Sequence, residues 1–426
     1  MRPPRLGYRW TVCALLFVVT TVNYADRQVL SILAPTLQRE LGWSETNYGD
    51  VVSWFSLVYA IGFLGAGWWL DRVGVRRGFA VAVVTWSVAA MAHAFARTTA
   101  GFSAARALLG LGESANFPGA IKTVAEWFPT RERALAAGIF NAGTNTGAIV
   151  TPLLVPWIAL TLGWRWAFIL TGSLGFLWLA LWLTLYHSPE AEPRLSSAEL
   201  AHIRDAADAP GGRVSWIRLL GQRQTWAVVV GKLLADPIWW FYLYWLPKFL
   251  DAKFGIKLSQ LALPLVVVYV VADAGSVTGG WLSGALIKRG WSVNRARKAA
   301  MLLMALAIVP TALAPRAESL WTAVLLVSVA VAAHQGWSAN VYTLASDMFP
   351  RSAVASVIGI AGFAGAMGGV VLQRATGRIL DATGHNYAPI FVVCGLAYVS
   401  AWTIIHGLVP TLEPAVPPPP ASERTS

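Results

Sequence analysis

Four charged side chains stand within stretches of sequence that are otherwise apolar: Asp26, Arg27, Arg106 and Glu113. A charge at the centre of a membrane-spanning helix costs about 2.5 to 3.5 kcal/mol on insertion scales, so each needs a partner or a task. Arg106 and Glu113 are seven residues apart, which puts them on one face of a helix, about 10.5 Å from each other. They are too far apart to pair, so each needs a partner from another helix.

Asp26 and Arg27 are adjacent, so their side chains point about 100° apart on a helix and suit two different partners. The simplest arrangement predicts that Asp26 pairs with Arg106. Arg27 then faces Glu113 or a bound anion. If the site binds a sugar carboxylate, Arg27 is the better residue to hold it, since a guanidinium fork matches a carboxylate bidentately. The alternative is a set of structural ion pairs without a transport role.

Proton coupling is a possible task for the two carboxyls. Desolvation favours the protonated form of a carboxyl, and a neighbouring arginine favours the ionised form. Asp26 and Glu113 could therefore titrate as their partners rearrange, and protonation of Glu113 would release Arg27 for the substrate. Protons are the expected coupling ion, and no other cofactor is expected.

Polar and aromatic side chains elsewhere could contact the same substrate. Besides Arg27 and Arg106, the candidates are Tyr24, Tyr59, Asn145, Trp239, Tyr242, His334, Gln335, Ser338 and Asn340. The alternative for Tyr24 and Tyr59 is packing in the membrane, and for Asn145 it is hydrogen bonding between helices. The tryptophan-rich run at 239–245 could instead be an interfacial belt. His334 could make a structural hydrogen bond. Lys232 and Asp236 are four residues apart and could simply pair.

The amino-acid composition indicates which kind of structural element holds these side chains. Of 426 residues, 56% are hydrophobic and 13% charged, whereas soluble domains have about 45 to 50% apolar and about 25% charged residues. At about 20 residues for each crossing, the apolar residues fill about twelve spans. A soluble enzyme and a disordered protein are excluded. The net charge of +12 lies in short clusters between apolar runs, which indicates anchors at the cytoplasmic face and not nucleic-acid binding.

The pattern predicts an all-α polytopic membrane protein of twelve helices in two six-helix bundles. The helices are predicted near 9–34, 47–70, 78–96, 100–126, 133–159, 165–187, 225–250, 260–287, 298–314, 318–346, 353–380 and 387–409. The predicted domains are an N-terminal bundle (1–187), a cytoplasmic linker (188–224), a C-terminal bundle (225–410) and a disordered tail (411–426). A short amphipathic helix is predicted at 196–207 in the linker, and Arg374 and Arg378 are expected to be surface anchors.

An internal repeat supports the two bundles. Glu126-Trp127-Phe128-Pro129 returns as Asp347-Met348-Phe349-Pro350, 221 positions later. The same offset carries Glu113 onto His334. Parallel six-helix halves are typical of transporters whose site lies at the interface of the halves, near the bilayer midplane. The clusters of basic residues place both termini in the cytoplasm.

Three groups of residues resemble a known family. The stretch from Gly67 to Arg77 resembles the signature loop of the major facilitator superfamily. Asn23 to Arg27, with Arg106 and Glu113, resembles its anion:cation symporter family. The segments 236–247 and 333–340 resemble the hexuronate transporter branch.

The resemblance implies roles for particular residues. Asp26 and Glu113 match the family's proton sites, and Arg27 and Arg106 match residues that manage the substrate and the carboxylates. Asp71, Arg72 and Arg76 match the loop that gates the cytoplasmic side, where Asp71 would meet the start of the eleventh helix. The implied substrate is a hexuronate such as galacturonate or glucuronate, taken up through a bacterial inner membrane by a monomer.

Several alternatives stay open. Within transport these are an aldonate such as galactonate, another organic carboxylate, and antiport of an organophosphate. A passive anion channel or a membrane sensor would show no proton coupling. An intramembrane enzyme is disfavoured because no serine or cysteine nucleophile stands in a recognisable setting and no metal-ligand spacing appears.

Overall fold

The fold is seen in a computed structural model, which describes residues 7–204 and 216–415. Most of the predicted disordered tail, residues 416–426, lies outside the described part. The described helices are α1 (Tyr8–Leu41), α2 (Glu45–Val73), α3 (Val75–Ala92), α4 (Thr99–Glu113), α5 (Asn116–Trp127), α6 (Thr130–Thr161), α7 (Trp164–Leu185), α8 (Ser197–Arg204), α9 (Trp216–Leu220), α10 (Arg223–Leu233), α11 (Asp236–Phe254), α12 (Ala262–Lys288), α13 (Val293–Ile308), α14 (Leu320–Met348), α15 (Arg351–Ala382) and α16 (Ala388–Leu408).

The all-α fold class is confirmed, and each predicted span is helical over most of its length in the described chain. The ninth span, 298–314, continues as a 3-10 helix (Val309–Arg316) after α13 ends at Ile308. The linker helix is confirmed over Ser197–Arg204. The fourth and seventh spans were predicted as single helices, but each is broken: α4 ends at Glu113 before α5 begins at Asn116, and α10 ends at Leu233 before α11 begins at Asp236.

Both breaks have a proline as their local cause. Pro118 lies just inside α5 and Pro237 just inside α11. A proline ring clashes with the carbonyl four residues earlier and supplies no N–H. Those earlier positions are Ser114, which caps the end of α4, and Leu233, the last residue of α10. Each proline is then tolerated because it lies in the first turn of a new helix.

Nine helical stretches of the described chain are long and apolar enough to cross a membrane. The first, fourth and seventh predicted spans are not among them. These three carry the charges noted in the sequence, since α1 holds Asp26 and Arg27, α4 holds Glu113, and α10 holds Lys232. Large apolar side chains are exposed on the other helices, for example Leu177, Val277 and Trp281, as expected for surfaces that face lipid.

The chain packs as two compact units, and three helices contribute to both. Of the described residues, unit 1 contains those up to 204 together with 240–270 and 369–387. Unit 2 contains 216–239, 271–368 and 388–415. The predicted domains are continuous in sequence, whereas unit 1 also includes 240–270 and 369–387, which belong to the predicted C-terminal bundle. The division into sequential halves stays a prediction.

Close helix crossings within each unit occur at small residues. In unit 1, a Cβ at Gly110 of α4 would lie 2.5 Å from the carbonyl oxygen of Phe55 on α2, and a Cβ at Gly147 of α6 would lie 2.5 Å from that of Thr21 on α1. In unit 2, Gly336 of α14 lies against Gly279 of α12. Small residues let membrane helices approach at backbone distance, and here they bring α4 against α2 and α6 against α1.

Candidate functional site

The centre of unit 1 holds a buried ion pair between Arg27 of α1 and Glu113, the last residue of α4. Nε and Nη2 of Arg27 donate to the same oxygen, Oε2 of Glu113, at 2.9 and 2.7 Å. Nη2 also donates to Oδ1 of Asn23 at 3.3 Å. Both charged side chains are buried. The prediction that Arg27 faces Glu113 is confirmed, although the pair uses one carboxylate oxygen and not two.

The predicted pairing of Asp26 with Arg106 is wrong. Both terminal nitrogens of Arg106 donate to the backbone carbonyl of Arg27 at 3.1 Å, so this guanidinium fixes the backbone of α1 and not a carboxylate. The carboxyl of Asp26 lies beside the hydroxyl of Thr171 on α7 and forms no ion pair within the described chain. The helical turn between adjacent residues directs Asp26 towards α7 while Arg27 points to α4.

Four aromatic rings surround the Arg27 guanidinium, and we call them the aromatic cage. Its carbon Cζ lies 4.6 Å from the centroid of Tyr24, 4.9 Å from Phe55, 5.1 Å from Tyr59 and 5.3 Å from Trp240. Such contacts stabilise a cation, most of all where water is excluded. Tyr24 and Tyr59 are predicted substrate contacts, and Trp240 belongs to the tryptophan-rich run noted in the sequence. Phe55 was missed, although it lies one helical turn before Tyr59.

The other residues predicted around the substrate lie in different surroundings. Asn145 lies on α6 beside Thr144, with Oδ1 at 3.4 Å from its hydroxyl, near the crossing of α6 with α1 at Gly147. Tyr242 is buried against the ring of Phe241, so it is not part of the aromatic cage. Any contact of Asn145 or Tyr242 with a substrate stays a prediction.

Unit 2 contains a second charged cluster at the break between α10 and α11. Nζ of Lys232 lies 2.8 Å from Oδ2 of Asp236. The ring of Trp239 stacks on His334 of α14, with centroids 5.4 Å apart and planes 6° apart. Nδ1 of His334 lies 2.6 Å from the Tyr398 hydroxyl, which donates to the carbonyl of Ala235 at 3.1 Å. Trp239 and His334 were both predicted as contacts, and the structure brings them together.

The remaining candidates on α14 differ in burial. Asn340 is buried and donates its amide to the carbonyls of Gly279 at 3.1 Å and Gly336 at 2.8 Å, so it ties α14 to α12. Gln335 and Ser338 are half-buried. Asn340 therefore has a structural role as a hydrogen-bond link between two helices. Substrate binding by Asn340, Gln335 and Ser338 stays a prediction.

The signature loop is held by contacts inside unit 1. Asp71 pairs with Lys122 of α5 at 2.6 Å, Arg72 lies over the ring of Trp68 at 4.1 Å, and Arg76 donates to the carbonyl of Leu183 on α7. The partner of Asp71 is therefore α5 here. A contact of Asp71 with the start of the eleventh span, α15, stays a prediction.

A further polar network joins α2 to α11 within unit 1, and sequence reasoning missed it. Glu45 and Lys248 are buried and form an ion pair. The hydroxyl of Tyr48 donates to the carbonyl of Tyr244 at 2.6 Å. Arg374 of α15, expected to be a surface anchor, lies 3.4 Å from Asp50. Adjacent polar residues at the start of α2 were the available signal, but their partners are about 200 residues away in the sequence.

Comparison with known proteins places the chain in a family. The model of the Major Facilitator Superfamily matches residues 16–373. The hexuronate transporter of Escherichia coli (strain K12) is 31% identical over 94% of both chains. A D-galactonate transporter of Escherichia coli O6:H1 is 30% identical over 94% of both. A probable galactarate/D-glucarate transporter of strain K12 is 30% identical over 91% of both.

Solved structures support the same fold. The xylose transporter XylE of E. coli in its inward-open conformation has a TM-score of 0.74 at 16% identity, over 94% of this chain and 96% of that one. A bacterial homologue of the human lysosomal transporter Spinster has a TM-score of 0.72 at 18% identity, over 94% and 95%. The fold is that of multi-pass membrane transporters and not of an enzyme. The chain belongs to the Major Facilitator Superfamily.

Proposed function

We propose that this protein is a secondary active transporter that imports a sugar acid by proton symport and alternating access. The proposed substrate is a hexuronate such as galacturonate or glucuronate. An aldonate such as galactonate is the second candidate, because a D-galactonate transporter is 30% identical to this chain. We place the protein in the bacterial inner membrane as a monomer with both termini in the cytoplasm.

The observation that carries the proposal is the one-sided bond between Arg27 and Glu113. Both Arg27 nitrogens share Oε2, and Oε1 accepts no hydrogen bond within the described chain. A carboxylate that presented both oxygens to Nε and Nη2 would make the stronger, forked arrangement. Glu113 is therefore a partner that a substrate carboxylate can replace.

A proton makes this replacement possible. Removing one partner of a buried ion pair leaves an uncompensated charge, which costs about 3 to 5 kcal/mol. If Glu113 takes a proton as the substrate carboxylate binds Arg27, one negative charge replaces another and the site stays balanced. When the proton leaves, Glu113 competes for Arg27 again and the substrate is released. Uptake of the anion is thereby tied to uptake of a proton.

Asp26 supplies a second proton position. It is buried beside the hydroxyl of Thr171 and forms no ion pair within the described chain. A buried carboxylate without an ion-pair partner is strongly disfavoured, so the neutral acid fits these surroundings. Asp26 holds its proton away from the Arg27 guanidinium, and it affects transport without touching the substrate.

The aromatic cage fits the rest of the substrate. Its rings hold the guanidinium in place, and their apolar surfaces suit the C–H faces of a sugar ring. Protons are the coupling ion in this mechanism, and it requires no other cofactor.

The test is uptake of radiolabelled galacturonate into proteoliposomes with an inward proton gradient. We expect concentrative uptake that a protonophore abolishes and that Glu113→Gln lowers at least tenfold, since the amide cannot give up a proton to compete for Arg27. Glu126→Gln is the matched control, because Glu126 lies on α5 and bonds Tyr186, outside the aromatic cage. It should retain uptake within about twofold.

The outcomes separate the candidate functions. Proton-driven uptake of galactonate in place of galacturonate would keep the mechanism and change the substrate. Uptake that equilibrates but never concentrates would support an anion channel. A lack of gradient-driven uptake for all these acids, with folded protein in the vesicles, would refute the proposal and favour a sensor.

A further inference from the structure

A cavity of about 370 Å³ lies at one end of unit 1, away from the aromatic cage. Its wall comes from the end of α1, the turn between α6 and α7, and the end of α11 with the loop that follows, all within unit 1. Small-molecule sites commonly have volumes of about 300 to 1,000 Å³. Because the proposed orientation puts the start of α1 in the cytoplasm, this cavity lies at the outer face of the membrane.

Two glycine turns keep the cavity open. Gly163 precedes α7 with a φ of 95°, and Gly255 follows α11 with a φ of 61°. Glycine adopts positive φ without the steric cost that other residues meet. Nothing lies within 4 Å of the Cβ position of either residue. The chain therefore turns around this space and does not fill it.

Three charged side chains line the cavity: Arg39, Asp251 and Lys257. None of them forms an ion pair within the described chain. Nε of Arg39 donates to the carbonyl of Pro35 at 3.1 Å, and its terminal nitrogens have no hydrogen-bond partner in the same part of the chain. The two cations outnumber the one carboxylate, so the cavity attracts an anion.

The acidic residue next to Arg39 does not neutralise it. Oε2 of Glu40 accepts a hydrogen bond from Nε1 of Trp164 at 2.7 Å, and Oε1 lies 3.7 Å from Nη1 of Arg165. Glu40 therefore points away from Arg39 and fixes the indole of Trp164, which forms part of the cavity wall.

The lining groups suit an anion that also carries hydroxyl groups. A guanidinium binds a carboxylate through two parallel hydrogen bonds, and a lysine adds a positive charge. The hydroxyl of Thr36 and the carboxylate of Asp251 can hydrogen-bond the hydroxyl groups of a sugar, and an indole gives an apolar surface to its C–H groups. A neutral sugar would leave the cations without a counterion.

We propose that this cavity is a second, outer binding site for the sugar acid, in which Arg39 and Lys257 hold the carboxylate. The inference rests on the proposed function, because it assumes that sugar acids are the substrates. A cationic site at the entrance raises the local concentration of an anionic substrate. It therefore lowers the KM for uptake and leaves the maximal rate unchanged.

The first experiment counts binding sites for radiolabelled galacturonate on the protein in phosphatidylcholine nanodiscs. We expect two sites on the unaltered chain. The double variant Arg27→Met with Glu113→Gln removes both charges of the central pair and should keep one weaker site, which does not bind galactose. Adding Arg39→Gln and Lys257→Gln to this variant should abolish the remaining site.

The second experiment needs no change at the central pair. Arg39→Gln and Lys257→Gln should each raise the KM for proton-driven uptake about threefold and keep the maximal rate within twofold. Both side chains are exposed, so their replacement leaves the packing intact. The increase should shrink as salt is added, because salt screens exposed charges. Lys253→Gln is the matched control, since Lys253 is an exposed lysine of α11 that does not line the cavity.

A single binding site that is lost in the double variant would overturn the inference and leave the proposed function intact. An equal increase in KM for Lys253→Gln and Lys257→Gln would also overturn it, because general charge attraction would then explain the effect. A second site that disappears when the nanodiscs contain phosphatidylglycerol would assign the cavity to a lipid phosphate instead. If galacturonate neither binds nor moves, the proposed function fails and the inference fails with it.

Discussion

At the residue scale, two adjacent side chains on α1 have opposite surroundings. Arg27 has a charged partner, an amide and four aromatic rings within reach, whereas Asp26 forms no ion pair within the described chain and lies beside the Thr171 hydroxyl. The separation follows from the turn of the helix. In the proposed mechanism the two residues therefore have separate roles. Arg27 binds the anion, and Asp26 holds a proton away from it.

This division predicts the behaviour of Asp26→Asn. The amide cannot exchange a proton, so net uptake driven by the proton gradient should fall at least tenfold. Exchange of labelled for unlabelled substrate needs no net proton movement, and it should stay within about twofold because the Arg27–Glu113 pair is intact. Proteoliposomes loaded with unlabelled galacturonate measure the exchange.

Thr146→Ala is a suitable control, since it removes an exposed polar group that bonds only its own helix in the described chain. Loss of exchange and of net uptake to the same extent in Asp26→Asn would contradict the separate proton position. It would place Asp26 in substrate binding instead.

At the element scale, the sequence predicts the helices well and the interruptions poorly. The length of an apolar run is a local property of the sequence, so the twelve spans could be located from it. Pro118 and Pro237 were visible signals for the two breaks, but a proline inside an apolar run also occurs within continuous helices such as α1, which contains Pro35. Whether a proline starts a new helix depends on the packing around it. The Arg27–Glu113 pair was predictable because each buried charge needed a partner.

The crossing of α2 with α4 sets where the aromatic cage meets Glu113. Gly110 packs directly on the backbone of α2, with its Cβ position 2.5 Å from the carbonyl oxygen of Phe55 and 3.1 Å from the nitrogen of Tyr59. Gly110→Ala should therefore separate the helices. Overpacking of this kind costs about 1 to 3 kcal/mol, and we expect a lower thermal midpoint in detergent together with weaker uptake.

Gly65→Ala on α2 is the matched control, because nothing lies within 4 Å of its Cβ position. It should keep the midpoint or raise it slightly, since alanine has the higher helix propensity. A midpoint for Gly110→Ala equal to that of Gly65→Ala would show that α4 can move without cost. The crossing would then not position the cage.

At the scale of the whole molecule, the membership of unit 1 was the least predictable feature. Its later stretches, 240–270 and 369–387, follow the linker in sequence. Nothing in their composition indicates which helices they pack against. Their contacts with α2 depend on pairs such as Glu45 with Lys248, which are 203 residues apart. The hydropathy pattern predicts the helices, and the internal repeat with its offset of 221 positions predicts the two halves. Neither of them predicts pairs such as this one.

The Glu45–Lys248 pair should be important for the stability of unit 1. Both side chains are buried, so Lys248→Met or Glu45→Gln alone removes one member of a buried ion pair, at a cost of about 3 to 5 kcal/mol. His385, whose Nδ1 lies 3.3 Å from Oε1 of Glu45, is present in all the variants. The double variant removes both charges and should recover most of the loss. Thermal unfolding of the four proteins in detergent gives the coupling energy.

Arg165 and Glu40 form the comparison pair, since they lie 3.7 Å apart with about half of each side chain exposed. Arg165→Met should cost no more than about 1 kcal/mol. If Lys248→Met is equally mild, or if the double variant is as unstable as the sum of the single ones, the pair does not hold α11 against α2. The packing of 240–270 in unit 1 would then rest on its aromatic contacts, such as that of Tyr48 with Trp245, whose centroids are 4.9 Å apart.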